Sequence, residues 1–117
     1  MTTYLLILND PPYGTERSYN GLRLARTVSL REDTAVRVFL LGDASFCAKA
    51  GQQVPKGYYN IERMLKAVAR KGAEIGVCGT CMDARGITND ELAEGSRRSS
   101  LDEWTDWTIE ADKILVF

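Results

Sequence analysis

The chain is predicted to fold as a three-layer α/β/α sandwich around a mainly parallel sheet of about five strands, Rossmann- or flavodoxin-like in arrangement. Three observations lead there. Short apolar runs, Tyr4–Leu8, Ala35–Leu41 and Ile75–Cys78, recur along the chain, and unbroken runs of this kind suit strands buried on both faces. Stretches with helical spacing of apolar residues separate them. Strand–helix alternation of this sort builds a parallel sheet covered by helices, with right-handed crossovers.

Taken in order, Tyr4-Leu-Leu-Ile-Leu8 opens the sheet and Asn9-Asp-Pro-Pro-Tyr-Gly14 breaks it. Thr15 stands where it can cap a helix that turns Tyr19, Leu22, Ala25 and Val28 inward and Arg17, Arg23 and Arg26 largely outward. Ala35–Leu41 is the second strand, ending at Gly42-Asp43, and Ser45 to Ala50 fits a short helix before the Gly51–Gly57 loop. Tyr58 to Lys71 has the clearest helical stripe, Ile61, Met64, Leu65, Val68 and Ala69, with Gly72 suited to its left-handed stop. Ile75–Cys78 is the third strand. Thr88 with Glu91 spells a capping box, accompanied by the hydrophobic staple Ile87 and Leu92. Ser100 with Glu103 repeats the box before a helix to about Asp112, and Lys113–Phe117 closes as a strand. Ser96 to Ser99 carries a weak strand signal. With no repeat, low-complexity tract or linker, residues 1–117 read as one domain.

Composition removes several classes of function. Fifteen basic residues stand against sixteen acidic ones, net −1, and no Lys/Arg block marks a nucleic-acid or anionic-membrane footprint. The apolar runs are too short to span a bilayer, and the N-terminus lacks a signal-peptide pattern, so the expectation is an intracellular, cytoplasmic protein. There is no histidine, which excludes Ser-His and Cys-His hydrolase arrangements and His-ligated metals within the chain. Three cysteines in a reducing compartment read as reactive or buried thiols, not as a disulfide framework.

In open α/β sheets ligands bind beyond the carboxyl ends of the strands. Three loops leave such ends here: Asn9–Gly14, Gly42–Cys47 and Cys78–Gly86. None contains GxGxxG or a P-loop lysine, so nucleotide binding has no local support. The informative stretch is Val77-Cys-Gly-Thr-Cys-Met-Asp-Ala-Arg-Gly-Ile87. A cysteine ending a strand before Gly79 and Thr80 sits where backbone N–H groups of a following turn face its sulfur and lower its pKa. Arg85 adds a positive charge to this loop and Asp83 opposes it. The spacing puts Cys81 one turn from Cys78, within possible disulfide reach. The pair also fits two plainer roles, buried small apolar side chains or half of a zinc site.

Other positions carry two readings each. Asn9, Asp10 and Tyr13 either line a pocket beside Cys78 or make an ordinary Asn-Asp-Pro-Pro turn. Asp43 either serves the site or ends a strand, and Cys47, beside Phe46 and Ala48, suits the core. Trp104 and Trp107 form a packing stripe or anchor a subunit interface. Arg97-Arg98 is a solvated loop or a patch that steers an acidic carrier protein.

The chain resembles the DsrE/DsrF/TusD-like sulfurtransferase family over essentially its whole length. The resemblance lies in Pro12-Tyr13-Gly14-Thr15 after the first strand, in Val77-Cys78 followed by Arg85-Gly86-Ile87, and in the closing Ala111-Asp112-Lys113-Ile-Leu-Val-Phe117. It implies a DsrE-like fold, Cys78 as acceptor of sulfur in a persulfide, assembly into homotrimers or homohexamers, and relay of sulfur between small cytoplasmic protein partners. Members of known pathway commonly keep only the first of the two cysteines, so Cys81 is a departure.

The chemistry needs one accessible, partly ionised thiol and no metal, nucleotide or other cofactor. If Cys81 reaches the inner sulfur of a Cys78 persulfide, a disulfide forms and hydrosulfide leaves, which makes Cys81 a candidate resolving thiol. The alternatives are a thiol–disulfide oxidoreductase or redox switch using Cys78 and Cys81, and a non-catalytic oligomeric module.

Overall fold

The computed structural model describes all residues, Met1–Phe117. β1 (Thr2–Leu8) and β2 (Thr34–Leu40) pair in parallel over their full lengths, Leu8 opposite Leu40. β3 (Glu74–Cys78) lies beside β2, β4 (Ser96–Ser99) beside β3, and β5 (Lys113–Val116) on the other side of β1. The order is β4-β3-β2-β1-β5, and every pairing is parallel. The expected α/β architecture is therefore present, including the weakly signalled strand at Ser96–Ser99.

Strand alternation sends side chains to two unequal faces. Leu6, Leu8, Val36, Val38, Leu40, Ile75 and Val77 meet Leu22 and Ala25 of α1 (Arg17–Ser29) and Ile61, Leu65 and Val68 of α2 (Ile61–Arg70) in one large core. Each fully buried leucine here contributes about 1.5–3 kcal/mol. The opposite face buries only the side chains of Leu5, Ile7 and Phe39 among the strand residues, covered by Trp107 of α4 (Leu101–Glu110). Three successive connections move one way along the sheet, whereas the β4–α4–β5 connection returns across its other face.

Several local expectations shift. α1 begins at Arg17 without a side-chain cap, because the Thr15 hydroxyl donates to the Asp10 carboxylate at 2.8 Å. α2 starts at Ile61, not Tyr58, since Asn60 Oδ1 accepts the Arg63 N–H at 3.0 Å and caps it. The Ser45–Ala50 helix is instead a 3₁₀ segment over Gly42–Ala48. The Thr88–Glu91 box forms, but it starts only a 3₁₀ turn, Asn89–Glu91. There the chain is captured by the neighbouring segment: Ala50 N–H donates to the Glu91 carbonyl and Ala93 N–H to that of Ala48. The last helix ends at Glu110, because Asp112 turns to exchange bonds with Thr3. No helix is long and apolar enough to cross a membrane.

Candidate functional site: a thiol pair at the β3–β4 crevice

Adjacent strands whose exits run to opposite faces leave a crevice beyond their carboxyl ends. β3 and β4 are such a pair. After β3 the chain enters α3 (Gly79–Ala84), whose Met82 joins the large core, whereas after β4 it enters α4 on the other face. The register sets Cys78 opposite Ser99. A cavity of about 540 Å³ opens there, walled by Phe39, Leu41, Leu101 and Trp104 and bordered by Cys78, Cys81 and Arg98.

Cys78 occupies the N-cap position of α3, and its sulfur accepts the Cys81 N–H at 3.3 Å. The Thr80 hydroxyl lies 3.3 Å from the same sulfur. Partial burial alone would push the thiol up. Hydrogen bonds from the Cys81 thiol, the Thr80 hydroxyl and the backbone N–H groups of Cys81 and Thr80 outweigh it, and the net direction is down. Cys81 moves the other way: burial and its hydrogen bond to Cys78 hold it protonated, against the Gly42 N–H and Arg85. That N–H meets the Cys81 sulfur at 3.2 Å. The two thiols are thus free and half-exposed, one disposed to ionise and its neighbour to donate a proton.

The cation beside Cys78 is Arg98, not Arg85. Arg85 bonds the Cys81 carbonyl at 3.2 Å and the Asp43 carboxylate at 3.0 Å, so its charge acts on Cys81. Arg98 lies in a strand and not in a solvated loop. It holds both Asp83 oxygens, at 2.8 and 2.9 Å, which neutralises the carboxylate expected to oppose a Cys78 anion. Gly79 is what lets Arg98 come in: a β-carbon there would stand 2.9 Å from Cζ and Nε of Arg98 and from the Ser99 carbonyl.

Asn9, Asp10 and Tyr13 do not line this cavity. The Asn9 amide donates to the Phe117 carbonyl, and the Asp10 carboxylate accepts from Thr15. Tyr13 donates to Gln52 at 2.6 Å and accepts the Ile61 N–H. They belong to the β1 loop and the α2 entry, and the turn reading describes them. Cys47 is fully buried, and that burial pushes its thiol up to about 12. Trp107 is buried between Arg37 and Arg97, 5.4 and 5.5 Å from its ring, and Trp104 stacks on Phe39 at 5.3 Å. The sequence did not point to Ser99, Ser100, Leu101 or Phe39 as neighbours of Cys78. Only the register of β4 on β3 brings them there.

Fold and site together define a parallel α/β domain with a polarised thiol pair at the end of its third strand. The chain matches the DsrE/DsrF-like family over residues 3–117 and belongs to that family. It is 38% identical to Protein YchN of Escherichia coli (strain K12) over 120 aligned positions, covering all of both chains. It is also 34% identical to MJ0989 of Methanocaldococcus jannaschii, over 97% of this chain and 98% of that one. The crystal structure of the E. coli YchN protein superposes with a TM-score of 0.94 at 36% identity, covering both chains fully. The Methanobacterium thermoautotrophicum protein MTH1491, 12% identical, shares the fold over both full chains with a TM-score of 0.81.

Proposed function

We propose that this protein relays sulfur, with Cys78 accepting sulfane sulfur as a persulfide and yielding it to a thiol of a partner protein. The observation that supports this most is the Cys78 sulfur itself, half-exposed at the crevice and surrounded by donors that favour its thiolate. In the accepting step the thiolate attacks the outer sulfur of a donor R–S–SH. A Cys78–sulfur bond forms, the donor S–S bond breaks, and R–S⁻ leaves with the electron pair. A partner thiolate later attacks the outer sulfur of the persulfide and returns Cys78 to its thiolate. Thiolates alone complete this exchange. Membership of the DsrE/DsrF-like family supports the same reading, and free thiols suit a reducing, cytoplasmic setting.

Intact mass measurement after brief exposure to a polysulfide donor tests it. The expected result is one added sulfur on Cys78, absent in Cys78→Ser, with Cys47 unmodified. Because the Cys78 pKa is lowered, its thiolate is present at lower pH than usual. The uptake rate should therefore rise with pH through a midpoint below that of an unperturbed thiol. Uptake that persists in Cys78→Ser would refute the assignment.

The proposal includes self-association into a homotrimer or homohexamer. The thinly covered sheet face leaves Ile114 and Val116 of β5 exposed, and Ile109 of α4 is exposed as well, apolar side chains of the kind that interfaces cover. Sedimentation equilibrium should return a multiple of the 13.0 kDa chain mass, and a monomer at micromolar concentration would reject it. A thiol–disulfide oxidoreductase or redox switch is the second reading, favoured by the contact between Cys78 and Cys81.

A further inference from the structure

We infer that the protein also releases hydrosulfide: Cys81 resolves the Cys78 persulfide, so that a loaded molecule not met by a partner discharges its sulfur through an internal Cys78–Cys81 disulfide. This rests on the reading of Cys78 as sulfur acceptor and names what that site does with its cargo.

The geometry carries the inference. Cys78 and Cys81 occupy the N-cap and third positions of α3, the two that face one another across a first helical turn, and the Cys81 N–H already bonds the Cys78 sulfur at 3.3 Å. The Cys81 sulfur is not turned away into the core. Cys81 lines the same cavity, and its sulfur accepts the Gly42 N–H at 3.2 Å, a donor able to support negative charge on it. Arg85, fixed by the Cys81 carbonyl and Asp43, adds positive charge on that side.

Loading changes the balance between the two thiols. In the empty protein burial and, next to it, the hydrogen bond to Cys78 discourage ionisation of Cys81. Once Cys78 carries sulfur, the negative charge sits on the outer atom and the inner sulfur is neutral. Of the influences that raise Cys81, the one from Cys78 is then weakened and burial stays, while the Gly42 N–H and Arg85 still act against it. Cys81 loses its proton and attacks the inner sulfur. The Cys78–Cys81 bond forms, the bond between inner and outer sulfur breaks, and the outer sulfur leaves with the electron pair. Taking up the Cys81 proton, it departs as HS⁻. The outer sulfur is reduced, Cys81 is oxidised, and one turnover needs no other reagent. A second turnover requires a dithiol reductant to reopen the disulfide.

Single-turnover loading tests this. The reduced protein is charged with inorganic polysulfide, desalted and sampled over time, with sulfide assay, alkylation and peptide mass mapping. Wild type should release one sulfide per loaded chain as the Cys78–Cys81 disulfide appears. Cys81→Ser and Cys81→Ala should keep the persulfide at least about tenfold longer, in keeping with exchange rates set by access of the attacking thiolate. Equal persulfide lifetimes with no sulfide from wild type overturn this inference and leave Cys78 as a stable carrier. Failure of both wild type and variants to take up sulfur overturns the acceptor reading instead. The wild-type disulfide and sulfide measurements decide the matter even if a variant folds poorly.

Discussion

Replacing Phe39 with alanine is expected to cost about 3–5 kcal/mol, the usual range for a fully buried phenylalanine. The ring is 1% exposed and lies on the poorer face of the sheet, where the buried cluster is only Leu5, Ile7, Phe39 and Trp107. Trp104 stacks on it with centroids 5.3 Å apart, and Trp107 meets it edge-on at 6.0 Å. Such aromatic pairs add about 0.5–1.5 kcal/mol beyond the area they bury. One helix covers this face, so few side chains are available to fill the void, and the loss should fall at the upper end of the range. Folded domains are stable by only about 5–15 kcal/mol, so the variant should unfold at much lower denaturant. Urea titration at fixed protein concentration measures this, fixed because association would add its own stability. A loss below about 1 kcal/mol would mean that Phe39 is not the keystone of that face. Because Phe39 and Trp104 also wall the cavity at Cys78, Trp fluorescence should shift to longer wavelength and sulfur uptake should slow.

The second large effect is expected at Gly79. An added β-carbon would lie 2.9 Å from Cζ and Nε of Arg98 and equally close to the Ser99 carbonyl oxygen. The guanidinium can swing aside. The carbonyl cannot, because it belongs to β4, which is hydrogen-bonded along β3. Gly79→Ala should therefore cost about 1–3 kcal/mol, as overpacking does, and push β4 away from the strand end that carries Cys78. Removing the flexible part of the clash in Gly79→Ala/Arg98→Ala should recover part of this cost, read as a coupling of about 0.5–3 kcal/mol in a double-mutant cycle. Asp83→Asn is the control, since it weakens the Arg98 clasp without adding a clash. Full stability in Gly79→Ala would show that the β3–β4 junction is looser than these distances require.

Both predictions concern contacts between residues distant in sequence, and the same division separates what was legible from what was not. Signals confined to one turn or one strand could be read directly. Tyr4–Leu8, the α2 stripe and the Ser100–Glu103 cap each depend on partners within a few residues or on a simple period. The placement of Cys78 at the end of β3, with the Cys81 N–H on its sulfur, is local in the same sense. The resemblance to the DsrE/DsrF-like family rested on such short motifs and extends to the whole chain.

Tertiary structure decided the rest. Arg85 and Arg98 are both arginines a short way from Cys78 in sequence, and no periodicity ranks them. The parallel register of β4 on β3 puts Arg98 against Gly79, whereas the turn after α3 carries Arg85 to Asp43. Likewise Asn9, Asp10 and Tyr13 follow a strand that ends at the same edge of the sheet, yet β1 is separated from β3 by β2. Their loop folds toward Gln52 and Ile61 instead. The Thr88 box is local and forms, but an antiparallel bridge between Lys49 and Leu92 claims the chain after one 3₁₀ turn. A sequence pattern records which residues seek burial and where a turn is favoured. Strand order and register arise from many weak non-local contacts formed together, so which loops meet Cys78 becomes definite only when the sheet is assembled.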